Sequence, residues 1–288
     1  MTVSINTVLV IGYGTMGRGI VKTFAENGFQ TSILTRNPSK IKNLPGDARA
    51  IKELPNAAPD LIIESVPEDM VIKQKLFLNL ESVYRGESIL ATNTSGLPIE
   101  EVAKPLAYKD KFIAIHYMQP AEAFPLVEVC QLEETSNQTA NACVEALSRS
   151  GKDTIVLQRP VIGFLINRLQ HALLHEAYSM IEDGVVSVED VDKFARLGFG
   201  PRMCITGLIE QKDLSGVDVN AAAQRSIVPD LYHNRTPCKM VQDMAARGDH
   251  GVKSGKGFYN WKDRDADAYR QAAARKLDRL WQALSGDR

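Results

Sequence analysis

Three short stretches carry side chains of the right type and spacing for redox chemistry on an alcohol. The first, "HYMQPAEAFPLVEV", contains His116 and, twelve residues on, Glu128. An imidazole whose second nitrogen is held by a carboxylate is oriented and made more basic. Such a pair suits removal of a hydroxyl proton while hydride leaves the same carbon. A histidine on a strand, taken alone, more often has a structural role, so the pair needs support from its surroundings. The second stretch is "GYGTMG", with Gly12, Gly14 and Gly17 enclosing Thr15 and Met16. Gly12 permits a tight turn, Gly14 lets a pyrophosphate approach the backbone, and Gly17 lets a helix pack closely on a strand. The helix that starts there turns free N–H groups towards phosphate. The third is "TRN", Thr35 to Asn37. Dinucleotide folds commonly have an acid at this point to hold the adenosine ribose. Without that acid a 2′-phosphate is not repelled, and Arg36 could grip it through its planar fork, assisted by Lys40. NAD held through Thr35 or Asn37 stays open beside NADP, with Arg36 tipping the balance to NADP.

These residues need a frame that gathers strand ends. "TVLVI" (Thr7–Ile11) reads as a buried strand, "GYGTMG" as a turn, and Gly19–Asn27 as a helix burying Ile20, Val21, Phe24 and Ala25. Gly28 stops that helix, and Gln30–Thr35 makes a second strand. "LIIES" is the next strand expected. "MVIKQKLFLNLESV" then reads as an amphipathic helix with Val71, Leu76, Phe77, Leu80 and Val83 on its buried face. Strands follow at "SILATN", "KFIAIHY" (ending at His116), "PLVEVC" and "DTIVLQ", with helices at "PIEEVA" and Ser136–Arg149. Strands alternating with helices predict an α/β, doubly wound, mostly parallel sheet of the Rossmann type. After Pro160 the pattern becomes helical. One helix is expected over "VIGFLINRLQHALLHEAYSMIEDG", another from a Ser187 cap to Gly198, and a last one from Asp265 to Leu284. The division is therefore a dinucleotide-binding domain over 1–160 and an all-α domain over 161–288.

A chain of 288 residues is long enough for two cores. Lys and Arg number 34 against 35 Asp and Glu, a balance that argues against nucleic-acid and membrane-surface partners. No apolar run approaches the ~18 residues that span a bilayer. The N-terminus lacks a basic leader and a small-residue cleavage site, so a cytoplasmic protein is expected. Cys130, Cys143, Cys204 and Cys238 form no C-x-x-C pair and have no histidine at zinc spacing, so they read as reduced, mostly buried thiols with no metal.

Six ordered segments make the chain resemble the 3-hydroxyacyl-CoA dehydrogenase superfamily through nearly its whole length. They are "GYGTMGRGI", "DLIIESVPEDMVIKQKLF", "TNTSGLPIEEVA", "HYMQPAEAFPLVEV", "IGFLINRL" and "KSGKGFYNW". The resemblance implies His116 as general base and Glu128 as the carboxylate orienting it. It implies that Ser95 and Asn167 contact the substrate oxygen, and that Glu68, Lys73 and Asn93 lie along the cofactor. It further implies a homodimer through the helical domain, and reversible oxidation of a secondary alcohol β to a carboxyl or thioester.

Two departures stand out beside the missing ribose acid. Gln119 replaces the family's usual asparagine. The stretch "NPSKIKNLPGDARAIKELPNAAP" is too short for the helical hairpin with which acyl-CoA enzymes hold the CoA. A small L-3-hydroxy acid is therefore the expected substrate. "GFGPRMCITGLIEQKDL" resembles hydroxy-acid members such as gulonate dehydrogenases and offers Arg202 as a bidentate clamp for a carboxylate. Two alternatives remain: an L-3-hydroxyacyl-CoA dehydrogenase with a trimmed hairpin, and a dinucleotide-binding sensor or crystallin-like protein without turnover. The related β-hydroxyacid dehydrogenases are disfavoured, because Asn167 and Arg168 stand where they have a catalytic lysine. Tyr13 could touch the cofactor, and His171 and His175 could line a cleft. His233 and His250 read as loop residues, Trp261 and Trp281 as packing aromatics.

Overall fold

A computed structural model of the chain describes residues 4–285. The chain divides after Arg168 into two compact units. The first holds one sheet of eight strands: β1 (Thr7–Ile11), β2 (Gln30–Leu34), β3 (Arg49–Ile51), β4 (Leu61–Glu64), β5 (Ile89–Thr92), β6 (Phe112–Tyr117), β7 (Leu126–Cys130) and β8 (Asp153–Leu157). Their order is β3-β2-β1-β4-β5-β6-β7-β8. Every neighbouring pair is parallel except β6 with β7. The helices of this unit are α1 (Thr15–Ala25), α2 (Met70–Tyr84), α3 (Ile99–Ala103) and α4 (Asn137–Arg149). Alternate residues of β1 serve opposite faces. Val8 and Val10 pack with Ile20, Phe24, Ile33 and Ile63. Leu9 and Ile11 pack with Ile62, Phe77, Leu80 and Phe112. Burial on both faces explains why the strands read as continuous apolar runs.

Three expectations change up to the start of α5. The segment after β2 contains a third strand, β3, paired in parallel with β2. On α2 the buried stripe is Lys73, Phe77, Leu80 and Tyr84, whereas Val71 and Val83 are 55% and 48% exposed. Lys73 can face inwards because Glu64 neutralises it. The helix expected from Val161 starts later, as α5 (Ile166–Glu182), because Gly163 and Phe164 both take left-handed backbone, at φ +82° and +50°.

The division falls within α5, and the second unit continues with α6 (Val188–Phe194), α7 (Gly200–Ile205), α8 (Glu210–Ser215), α9 (Val217–Ile227), α10 (Lys239–Ala246) and α11 (Ala266–Ser285). Ser187 caps α6 by accepting from the Asp190 N–H at 3.1 Å. Gly198 does not end that helix. A π-helical turn over Ala195–Phe199 leads directly into α7. Among the described residues this unit has isolated β-bridges and no strand. Nor does any helix among them have the length and apolarity to cross a membrane.

Candidate active site

The antiparallel pairing of β6 and β7 sets His116 directly opposite Glu128. Glu128 Oε2 lies 2.8 Å from His116 Nδ1. Its other oxygen accepts from the backbone N–H groups of Leu165 and Ile166, at 2.8 and 2.9 Å, where α5 begins. Burial pushes the Glu128 carboxyl up, but the His116 bond and then the Ile166 and Leu165 N–H groups outweigh it and hold its pKa below the usual carboxylate range. An ionised carboxylate only accepts hydrogen bonds. In the neutral ring Nδ1 therefore carries the hydrogen, and Nε2 presents its lone pair. Nε2 faces the Ser95 hydroxyl at 3.2 Å. Beneath the imidazole the ring of Phe164 stacks at 4.8 Å, inclined by 15°. The left-handed turn at Gly163 and Phe164 thus both buries this ring and aims the first N–H groups of α5 at Glu128.

Ser95 is exposed, yet its backbone is fixed from behind. Glu68 Oε1 accepts from the N–H groups of Ser95 (3.0 Å) and Gly96 (3.1 Å) and from the Thr94 hydroxyl. Burial raises the Glu68 carboxyl, but Thr94, Gly96, Lys73 and Ser95 together bring it below its ordinary value. Lys73 stands 3.3 Å from Glu68 and 2.7 Å from Glu64. Glu64 is fully buried, and burial raises its pKa against the pull of Lys73. Its carboxylate also accepts from the Val66 N–H and the Thr92 hydroxyl. Asn93 uses its Oδ1 to receive the Tyr117 N–H at 2.9 Å, tying the end of β5 to β6.

A groove of about 860 Å³ runs along the ends of β1, β2 and β4. Among its walls are Gly12, Tyr13, Gly14, Thr15, Met16, Thr35 and Arg36. Glu68, Lys73 and Asn93, expected along the cofactor, are not among them. Their side chains are engaged with Ser95, Glu64 and Tyr117, and Lys73 is only 1% exposed. Lys40 is absent from the walls as well, and Lys52, which belongs to no motif, is present.

The glycine loop fits a dinucleotide. Gly12 has φ +99°, and a Cβ there would meet the Ser65 carbonyl oxygen at 2.5 Å. A Cβ on Gly17 would fall 2.1 Å from the Gly12 carbonyl oxygen. Gly14 opens onto empty space and precedes α1 with no capping side chain, and the first turn has no acid. The α1 N–H groups are thus free to receive a pyrophosphate.

The loop between β6 and β7, where Gln119 departs from the family pattern, is held by Lys152. Its Nζ donates to the carbonyls of Ala121, Glu122 and Phe124 at 2.8, 3.0 and 2.8 Å. Burial lowers the Lys152 pKa, with Glu122 opposing. Asn167 is half-buried in the first turn of α5, and its side chain has no hydrogen-bond partner among the described residues. Arg202 lies exposed in the second unit, on α7, with its guanidinium turned to the Gln211 amide. His175, His233 and His250 meet the carbonyls of Asn234, Val228 and Ala245. All four cysteines are free, and Cys204 alone is exposed. Among the described residues no three His, Cys, Asp or Glu side chains converge on a metal site.

Comparison with known proteins adds an independent line. Residues 7–56 and 48–160 match the family described as 3-hydroxyacyl-CoA dehydrogenase, NAD binding domain. Residues 163–261 match the C-terminal domain of the same family. The 5-formyl-3-hydroxy-2-methylpyridine 4-carboxylate 5-dehydrogenase of Mesorhizobium japonicum is 28% identical, over 98% of this chain and 99% of its own. The 3-hydroxybutyryl-CoA dehydrogenase of Clostridioides difficile is 32% identical over 88% of this chain and 98% of its own. Among solved structures, a 5-formyl-3-hydroxy-2-methylpyridine 4-carboxylic acid 5-dehydrogenase described as an NAD+ dependent dismutase superimposes with a TM-score of 0.91. It is 27% identical and covers 98% of this chain and 99% of that one. A 3-hydroxyacyl-CoA dehydrogenase of Archaeoglobus fulgidus gives 0.70 at 27% identity, over 96% and 99%. These matches support NAD and lend nothing to the preference for NADP read from Arg36.

Proposed function

Since the chain belongs to the 3-hydroxyacyl-CoA dehydrogenase family and is an NAD-dependent dehydrogenase of CH–OH groups, we propose that it oxidises the secondary alcohol of a small L-3-hydroxy acid, or reduces the corresponding ketone. One observation carries the choice of a free acid over a CoA thioester. Between β2 and β4 the chain forms only a single 3-10 turn at Pro38–Lys40 and the three residues of β3. No helical hairpin stands there to hold a CoA. The name of the Mesorhizobium relative, a pyridine carboxylate dehydrogenase, points the same way. It also motivates a second reading. A hydrated aldehyde presents the same H–C–OH unit as a secondary alcohol, so an aromatic aldehyde acid is a candidate substrate for the same residues.

In this reading His116 Nε2 takes the hydroxyl proton, and Glu128 stabilises the imidazolium that forms. Ser95 and Asn167 receive the substrate oxygen, polarising it in the carbonyl state. Glu68 and Lys73 act behind them as positioning residues. The bound dinucleotide supplies the hydride acceptor. Arg202 is our candidate partner for the carboxylate. Arg36 gives a reason to include NADP beside NAD. Exposed Phe194, Leu197, Ile205, Ile209 and Leu214 favour a homodimer through the helical unit, and a cytoplasmic enzyme without nucleic-acid or membrane partners fits the balanced charge. The test is steady-state kinetics on matched pairs of free acid and CoA thioester, with aldehyde acids in the panel. The free acid or the aldehyde acid should give the higher kcat/KM, and Arg202→Ala should raise KM for it by about tenfold or more. Higher kcat/KM on the thioester would remove the small-acid reading.

A further inference from the structure

The groove beside the glycine loop has two cations and no carboxylate in its walls: Arg36 and Lys52. They reach it from different strands. Leu34 at the end of β2 pairs with Ile51 at the end of β3, and the Thr35 N–H donates to the Ile51 carbonyl at 3.0 Å. Continued one step, that register sets Lys52 opposite Thr35, with Arg36 one residue beyond, and both leave the sheet at its carboxyl edge, where open α/β sheets bind ligands, to line the groove. Among the described residues neither forms an ion pair. Both side chains are exposed.

Their place in the sheet says which part of a dinucleotide they meet. The pyrophosphate belongs to the α1 N-terminus, directly after β1. β2 lies one strand out from β1 and β3 two, about 5 and 10 Å sideways. That displacement carries them past the pyrophosphate to the adenosine ribose. A ribose with two hydroxyls calls for an acceptor, and no acid lines this groove. A ribose 2′-phosphate, carrying a charge of about −1.5 to −2 near neutral pH, calls for two donors of positive charge.

We propose that Arg36 and Lys52 form a binding site for the 2′-phosphate of an adenine dinucleotide, so that the enzyme accepts NADP. Arg36 supplies the planar fork, and Lys52 a point charge from the neighbouring strand. The proposal rests on the dehydrogenase reading above for its place in catalysis, but the binding site is testable without any substrate.

The experiment is calorimetric titration of the full chain with adenosine 2′,5′-bisphosphate and with adenosine 5′-monophosphate. The bisphosphate should bind at least about tenfold more tightly, and raised salt should erode the difference. Lys52→Ala and Arg36→Ala should each remove most of that advantage while changing affinity for the monophosphate by less than about threefold. Unchanged melting temperatures for both variants would exclude unfolding as the cause. Equal affinity for the two nucleotides in the parent protein, or an advantage that survives Lys52→Ala, would overturn the proposal. If the bisphosphate advantage is present but no hydroxy acid is turned over, the substrate reading fails and the phosphate site stands. If hydroxy acids are turned over but the advantage is missing, the reverse holds.

Discussion

If His116 is the base, as proposed, replacing Glu128 by glutamine should disable it while leaving its shape intact. Glu128 Oε1 accepts two backbone N–H groups, from Leu165 and Ile166, at 2.8 and 2.9 Å. A glutamine must keep its carbonyl oxygen at that position, because its NH2 group would otherwise oppose two donors. The NH2 group is then turned to His116 Nδ1, which lies 2.8 Å from the second oxygen in the parent. Nδ1 has to accept, so the ring hydrogen moves to Nε2, the nitrogen beside Ser95. Such a ring cannot take a substrate proton, and the loss should be about 10³- to 10⁴-fold in kcat, or roughly 4–5.5 kcal/mol, with KM little changed. Nitrogen-15 NMR of the histidines reads the tautomer directly. His116→Gln assigns the signal among the five present. Stability should follow the same bond. The folded pKa of Glu128 is depressed, so its contribution is full above its ordinary value of 4.5 and is lost as pH falls through the folded value. The variant should be less stable by about 1–3 kcal/mol at pH 7, with the gap closing in acid. An Nε2 that stays unprotonated in Glu128→Gln, or a fall in kcat below about tenfold, would refute the tautomer argument.

Two further outcomes follow from the residues behind the site. Lys73→Met leaves Glu64 buried without its counter-charge and should destabilise the fold by about 3–5 kcal/mol at pH 7.5 in urea unfolding. Burial raises the folded pKa of Glu64, so protonation relieves the unpaired charge, and the deficit should shrink as the pH is lowered towards 5. Adding Glu64→Gln should recover most of it at neutral pH. Gly17→Ala forces a methyl group within 2.1 Å of the Gly12 carbonyl oxygen, so calorimetry should show dinucleotide affinity reduced at least tenfold, roughly, and unfolding should ease by about 1–3 kcal/mol.

The sheet was legible because its strands are buried on both faces and separated by helices of ordinary length. β3 was not, since three residues, "RAI", carry no periodicity and are paired only because β2 lies alongside. The inward face of α2 departs from its apolar spacing for a related reason. Apolar spacing points to Val71 and Val83, and nothing in a single sequence says that Lys73 meets Glu64 in the interior. The glycine loop announces itself by its turn chemistry. A separation of twelve residues between His116 and Glu128 does not by itself set a strand register, and their contact follows only from the pairing of β6 with β7. Phe164 stayed hidden because its left-handed backbone breaks a run that otherwise reads as helix. Lys52 is hidden in the sequence because it follows β3, which has no periodicity to mark it.

The cross-strand position of His116 and Glu128 has a consequence for how such an enzyme can vary. Side chains alternate across a sheet, so sliding β7 by one residue against β6 would set Val127 or Val129 opposite His116 and turn Glu128 to the other face. The strongly apolar neighbours forbid that slip, because it would drive the Glu128 carboxylate into the core that Val127 and Val129 now fill. The proposed proton-handling pair is thereby specified by the same hydrophobic pattern that specifies the sheet. Loops around the groove can lengthen, shorten or change composition without disturbing it. A lineage can exchange one acyl carrier or acid for another while inheriting the pair as part of the architecture.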